Sequence, residues 1–160
     1  MVAYLTLHQI RSIHHKVFEA IEGESDACLH PGARDSLLSS CLDRPRTDVY
    51  GCAPYRDLFS KAAALIECII STNALINGTK STGFLACDLF LELNGYYIDP
   101  EAPIKTFLMA IACNKLDLAG ITDSLKLHAI KKYVFKPPSR RSILHSFHVV
   151  LLRIWRSLCT

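Results

Sequence analysis

The 160-residue chain has no strong excess of either charge, no close cysteine pair, no internal repeat and no long uncharged apolar run. Each absence excludes a class. A formal net charge of +3 is too small for a dedicated nucleic-acid binder, which carries a far larger basic excess. No specific nucleic-acid partner is therefore expected. Cys28, Cys41, Cys52, Cys68, Cys87, Cys113 and Cys159 form no CxxC motif, so the closely spaced ligand pairs of a zinc site are missing. Their odd number also fits an extracellular disulfide framework poorly. Buried, reduced thiols and a cytoplasmic location are expected instead. The start, MVAYLTLHQIRSIHH, lacks the basic then apolar pattern of a secretory signal, so the Asn77-Gly78-Thr79 sequon reads as chance. No stretch offers 18 uncharged apolar residues, and no spanning helix is predicted.

What remains is half hydrophobic and 21% charged, the profile of one globular domain with a real core. Strand signals are weak, apart from a short YYI at 96–98. Helical periodicity dominates and predicts an all-α fold. Ile10, Ile13, Val17, Phe18 and Ile21 form one stripe over 6–22, closed by Gly23. Asp35 precedes leucines at a short helical start, and irregular segments follow through Pro45 and TDVYGCAP. YRDLFSKAAALIECIIST, from Tyr55, reads as a buried helix that is apolar nearly all round after Lys61. STGFLACDLFLELNG is a second, with Ser81 or Thr82 as its cap and Asn94-Gly95 as its end. Two further helices are predicted over 104–119 and 122–133, the latter opened by Thr122-Asp123. The centre of the domain is thus a helix–loop–helix whose loop is NALINGTKST, residues 73–82.

Those central segments, with PGARDSLLSSCLDRP and YRDLFSKAAAL upstream, resemble the Fic/Doc (Fido) family, in particular its death-on-curing branch. The resemblance runs over about residues 4–133 and implies a domain of that extent, with 134–160 an added basic, Pro-containing linker and helix. In that branch the loop typically reads HPFxDGNKRTA. Here Asn73 stands for the histidine, Ala74 for the proline, Leu75 for the phenylalanine and Asn77 for the aspartate. Gly78, Lys80 and Thr82 match, whereas Thr79 replaces asparagine, Ser81 replaces arginine and Gly83 replaces alanine. The resemblance implies that the histidine deprotonates a target hydroxyl, the acid holds magnesium, and basic residues with loop amides hold nucleotide phosphates. It also implies ATP and Mg as cofactors of an active member. Lysine at position 80 marks the growth-arresting toxin branch, which phosphorylates a translation elongation factor and is neutralised by an antitoxin. The AMP-transferring members usually carry glycine there.

The residues themselves speak against that chemistry. A carboxamide at Asn73 has no usable proton affinity near neutrality, and losing a positioned base costs about 10²–10⁴-fold in rate. Asn77 offers one neutral oxygen where magnesium prefers a carboxylate. Ser81 replaces a planar bidentate fork by a single hydroxyl. A family relative that binds a partner or nucleotide without transferring anything is therefore expected, with an active phosphotransferase or AMP-transferase as the alternative. Gly78, Thr79, Lys80, Ser81 and Thr82 are the candidate phosphate-binding residues, through loop N–H groups, one cation and hydroxyls. The plainer reading is an Asn-Gly turn capped by Ser or Thr. His8, His14, His15, His30 and His128 are candidate replacement bases, read more readily as surface or capping residues. The family's autoinhibitory [S/T]xxxE[G/N] helix is not matched, since Phe18 stands where Glu22-Gly23 would require a hydroxyl.

After Tyr133 the resemblance ends. KKYVFKPPSRR, residues 131–141, carries five basic residues around a Pro-Pro break. SILHSFHVVLLRIWRSLCT then gathers Ile143, Leu144, Phe147, Leu151, Ile154, Trp155 and Leu158 on one helical face. A face that apolar needs cover: its own domain, another copy through 142–158, or a membrane surface.

Overall fold

A computed structural model describes residues 2–22, 33–47, 53–72, 74–75 and 77–132. Asn73 and the tail from Tyr133 onward lie outside the described residues, as do Cys28, Cys52 and Cys159. Among the described residues the chain folds into six α-helices and one small antiparallel sheet, as the all-α reading predicts. In order these are α1 (Leu7–Glu22), α2 (Ala33–Asp43), α3 (Leu58–Ser71), α4 (Thr79–Leu93), β1 (Tyr96–Ile98), α5 (Ile104–Ala112), α6 (Leu118–His128) and β2 (Ala129–Lys131). A 3₁₀ turn over Arg44–Arg46 follows α2.

The centre is α3 against α4, with α1 covering α4 and α6 covering α3. α3 begins with a reciprocal capping box. The Asp57 carboxylate accepts from the Ser60 backbone N–H at 2.7 Å, and the Ser60 hydroxyl accepts from that of Asp57 at 3.2 Å. Beyond Lys61 every residue to Ile70 except Glu67 is buried, as a helix apolar nearly all round must be. Gly83 lets α4 approach closely, since a Cβ there would lie 3.1 Å from Ile70 Cγ1. Phe90, Ile66, Ile69, Ile10 and Ile13 fill the core.

Asn94 closes α4 and ties down the N-terminal segment. Its amide donates to the carbonyls of Phe90 and Ala3, and its oxygen accepts from Ala3 N–H at 2.8 Å. Gly95 then turns the chain at φ 88° into β1.

The last third departs from the sequence reading. The helix predicted over 104–119 stops at Ala112, because Asn114 adopts a left-handed φ of 52°. The next helix begins at Leu118, where Asp117 caps by accepting from Gly120 N–H at 2.8 Å. Thr122 does not open that helix. It lies inside it, and its hydroxyl donates to the Leu118 carbonyl at 2.7 Å. Residues 129–131, read as helical, form β2 instead, with Tyr97 opposite Ile130.

Candidate functional site

The loop between α3 and α4 is anchored by apolar residues and opens on polar ones. Ala74 and Leu75 are buried in the core. From there the chain passes Asn77, which is exposed, to Gly78 at φ 69° and ψ 15°. Gly78 is the N-cap residue of α4, and a left-handed backbone suits glycine at this position. α4 therefore starts at Thr79, two residues before Ser81 and three before Thr82, the predicted caps, and it has no side-chain cap. An uncapped helix start leaves first-turn N–H groups without helical partners and presents the positive end of the dipole.

A cleft of about 640 Å³ lies at this helix start. One wall is Asn77, Gly78, Thr79, Lys80 and Ser81. The opposite side comes from Ile70 and Ser71 at the end of α3, and from Ile111, Ala112 and Asn114 at the end of α5. That size is within the range of small-molecule sites. Lys80 is exposed and contributes the one charged side chain among the described lining residues. The Thr79 hydroxyl donates back to the Leu75 carbonyl at 3.2 Å, which braces the turn. Five of the predicted positions are thus brought to one surface.

Thr82 is not among them. It is 0% exposed, and its Oγ1 lies 3.3 Å from His14 Nδ1 on α1. A hydroxyl facing α1 inside the core cannot reach a ligand in the cleft, so its reading as a phosphate donor gives way to a packing role.

His14 itself is 4% exposed and packs edge-on to Phe18. Burial lowers its pKa, and the neighbouring charge of His15 acts in the same direction. It is a neutral core imidazole rather than the surface or capping group expected. His15 pairs with Glu19 at 3.2 Å, His8 is exposed, and His128 lines a small apolar pocket with Phe84, Ile98 and Phe107. His30 lies outside the described residues. Among the described residues no imidazole, carboxylate or guanidinium lines the cleft.

Ser71 and Asn114 belong to this cleft and went unnoticed in the sequence. Asn114 had a legible signal, since an asparagine after an apolar helical run is a frequent left-handed helix terminator. Ser71 had none.

A family model, that of the Fic/DOC family, matches residues 4–91, which include α1 to α3, the loop and most of α4. The chain belongs to the Fic/DOC family. It is similar to Toxin Doc of Mycolicibacterium smegmatis, with 32% identity over 92 residues, which cover 56% of this chain and 71% of that protein. The family match ends within α4, so α5, α6 and the sheet lie beyond it.

Proposed function

We propose that this toxin-like Fic/Doc protein binds a phosphate-bearing ligand or a partner protein at the α3–α4 loop and is impaired in transfer. The observation that carries this reading is the chemistry of the cleft. Its described lining supplies Lys80, hydroxyls and backbone N–H groups, which suit an anion, but no group able to take a proton at neutral pH. Asn73, at the position of the family base, is a carboxamide in any conformation. Asn77, at the position of the metal-binding acid, contributes a neutral oxygen. ATP with magnesium is the ligand of an active relative. Here the nucleotide's phosphates would meet Gly78, Thr79, Lys80 and Ser81 with less metal support. An antitoxin-like protein is the partner class that the toxin likeness suggests, and a translation factor is the target class of an active form.

The test is label transfer from γ- and α-labelled ATP to lysate proteins, with magnesium present. Native chain is compared with a revertant carrying Asn73→His, Asn77→Asp, Thr79→Asn and Ser81→Arg. Transfer by the revertant alone supports an intact scaffold with a silenced loop. Transfer by the native chain overturns the proposal, and the labelled phosphate then identifies a phosphotransferase or an AMP-transferase.

A further inference from the structure

The chain carries asparagine before glycine twice, at Asn77-Gly78 and Asn94-Gly95, and the fold treats the two pairs differently. Asparagine ahead of glycine is the pairing most open to deamidation, because no Cβ hinders the following backbone nitrogen as it attacks the side-chain carboxamide. Two conditions decide whether a folded chain allows the reaction. The nitrogen must not be held in a helix ladder or turn, and the carboxamide must be able to swing towards it. Asn94 meets neither. Its amide donates to the Phe90 and Ala3 carbonyls at 2.7 and 2.9 Å, and its oxygen accepts from Ala3 N–H at 2.8 Å. Gly95 N–H is engaged as well, donating to the Glu92 carbonyl at 3.2 Å. Asn77 is exposed and lies outside helix and strand. Gly78, as the N-cap of α4, has an N–H that the helix itself cannot engage. Asn114, across the cleft, precedes a lysine whose N–H donates to the Ala110 carbonyl at 2.9 Å.

We propose that Asn77 is a site of spontaneous deamidation, through a succinimide formed with Gly78, and that Asn94 is protected. Hydroxide takes the Gly78 N–H proton, and the nitrogen attacks Asn77 Cγ. A ring C–N bond forms, the bond from Cγ to the amide nitrogen breaks, and ammonia leaves with a proton from water, which returns hydroxide. Water then opens the ring at one of its two carbonyls. Breaking the bond from the nitrogen to Cγ gives aspartate. Breaking the bond from the nitrogen to the backbone carbonyl gives isoaspartate, whose main chain runs through Cβ and Cγ. One asparagine and one water yield one carboxylic acid and one ammonia. Either product places a carboxylate on the wall that carries Lys80, so the described charged lining changes from one cation to a cation and an anion. Isoaspartate also lengthens the main chain directly before the left-handed Gly78 and displaces the start of α4. Aspartate is the residue that the Fic/Doc pattern carries at this position, so the age of the protein sets how acidic its cleft is. The proposal is independent of whether the cleft binds or transfers phosphate.

The experiment incubates the freshly purified full-length chain in mildly alkaline buffer made with heavy-oxygen water, with and without urea, and samples it over days. Peptide mapping locates the incorporated oxygen, and an isoaspartyl methyltransferase counts the isoaspartate. In buffer, Asn77 should take up label about tenfold or more faster than Asn94, which must first give up its hydrogen bonds. Urea releases both pairs and should bring the two rates together. Label entering Asn94 as fast as Asn77 in buffer, or the same ratio of the two in buffer and in urea, overturns the proposal. So does an Asn77 peptide that urea labels and buffer does not, because the fold would then protect both pairs. Asn77→Gln should abolish the label within residues 73–82 and leave that of Asn94 in urea unchanged. Label persisting there would place the reaction at Asn73 and overturn the assignment.

Discussion

Acidification will destabilise this protein through one side chain on α1. His14 is buried against Phe18 and Thr82, and its folded pKa lies below its ordinary 6.5 because burial penalises the charged ring and His15 adds repulsion. The unfolded chain therefore binds a proton that the folded chain refuses. Above 6.5 both forms are neutral and stability is fully present. As pH falls from there towards the lowered folded value, stability is lost. One proton sets the ceiling at about 1.4 kcal/mol per pH unit across that window. Against a typical domain stability of about 5–15 kcal/mol, this is a readily measured loss. The assay is urea unfolding from about pH 7.5 to about pH 5, on the native chain and on His14→Asn, which keeps a polar partner for Thr82. Subtraction cancels the other shifted groups. Asp57, lowered despite partial burial by its bonds to Ser60 and Lys126, loses its contribution only near and below its ordinary 3.8. Cys68, lowered within its pair with Cys41, adds stability as pH rises towards its ordinary 9.0. Equal pH slopes for the two proteins below 6.5 would refute the reasoning, because His14 would then titrate alike in both states.

Two stability predictions rest on the central helices. Asp57→Ala removes the acceptor of the α3 capping box and should cost about 1–2 kcal/mol in urea unfolding. Most of that loss should persist in molar salt, because the Lys126–Asp57 ion pair is exposed and contributes little. Gly83→Leu drives a branched side chain into Ile70, where a Cβ alone already lies at 3.1 Å, and should cost about 1–3 kcal/mol by overpacking. A melting temperature for Gly83→Leu at or above the native one would show that α3 and α4 are not in close contact there.

The central helices were legible because their signals are local. An unbroken apolar run predicts α3, and Asn94-Gly95 marks the end of α4 within one residue. What escaped depends on distant partners. Residues 129–131 follow a helix directly and carry no alternation long enough to announce a strand. They extend because Tyr96–Ile98 supplies a ladder more than 30 residues upstream. The break after Ala112 was visible in Asn114 and Asp117 and was outweighed by the apolar residues around it. Thr82 read as a cap on composition alone. Its true partner, His14, stands 68 positions away, and no spacing rule connects them.

The fold and the chemistry of the loop separate cleanly because they rest on different residues. Ala74 and Leu75 replace the proline and phenylalanine that the family resemblance leads one to expect, yet both remain apolar and buried, so the loop keeps its anchors. Asn77 is exposed, outside the buried anchors. Ser81 is the demanding position in the revertant. It is 5% exposed on the first turn of α4, so an arginine there must send its guanidinium outward instead of into α3. The cleft of about 640 Å³ beside it, with Ser71 and Asn114 on the far side, offers that exit. Ser81→Arg alone should therefore fold with a loss below about 1.5 kcal/mol, whereas an arginine forced into the core would cost several. A variant that fails to fold would mean that the arginine cannot reach this exit, and the four-site revertant would then report a packing failure rather than the absence of a base.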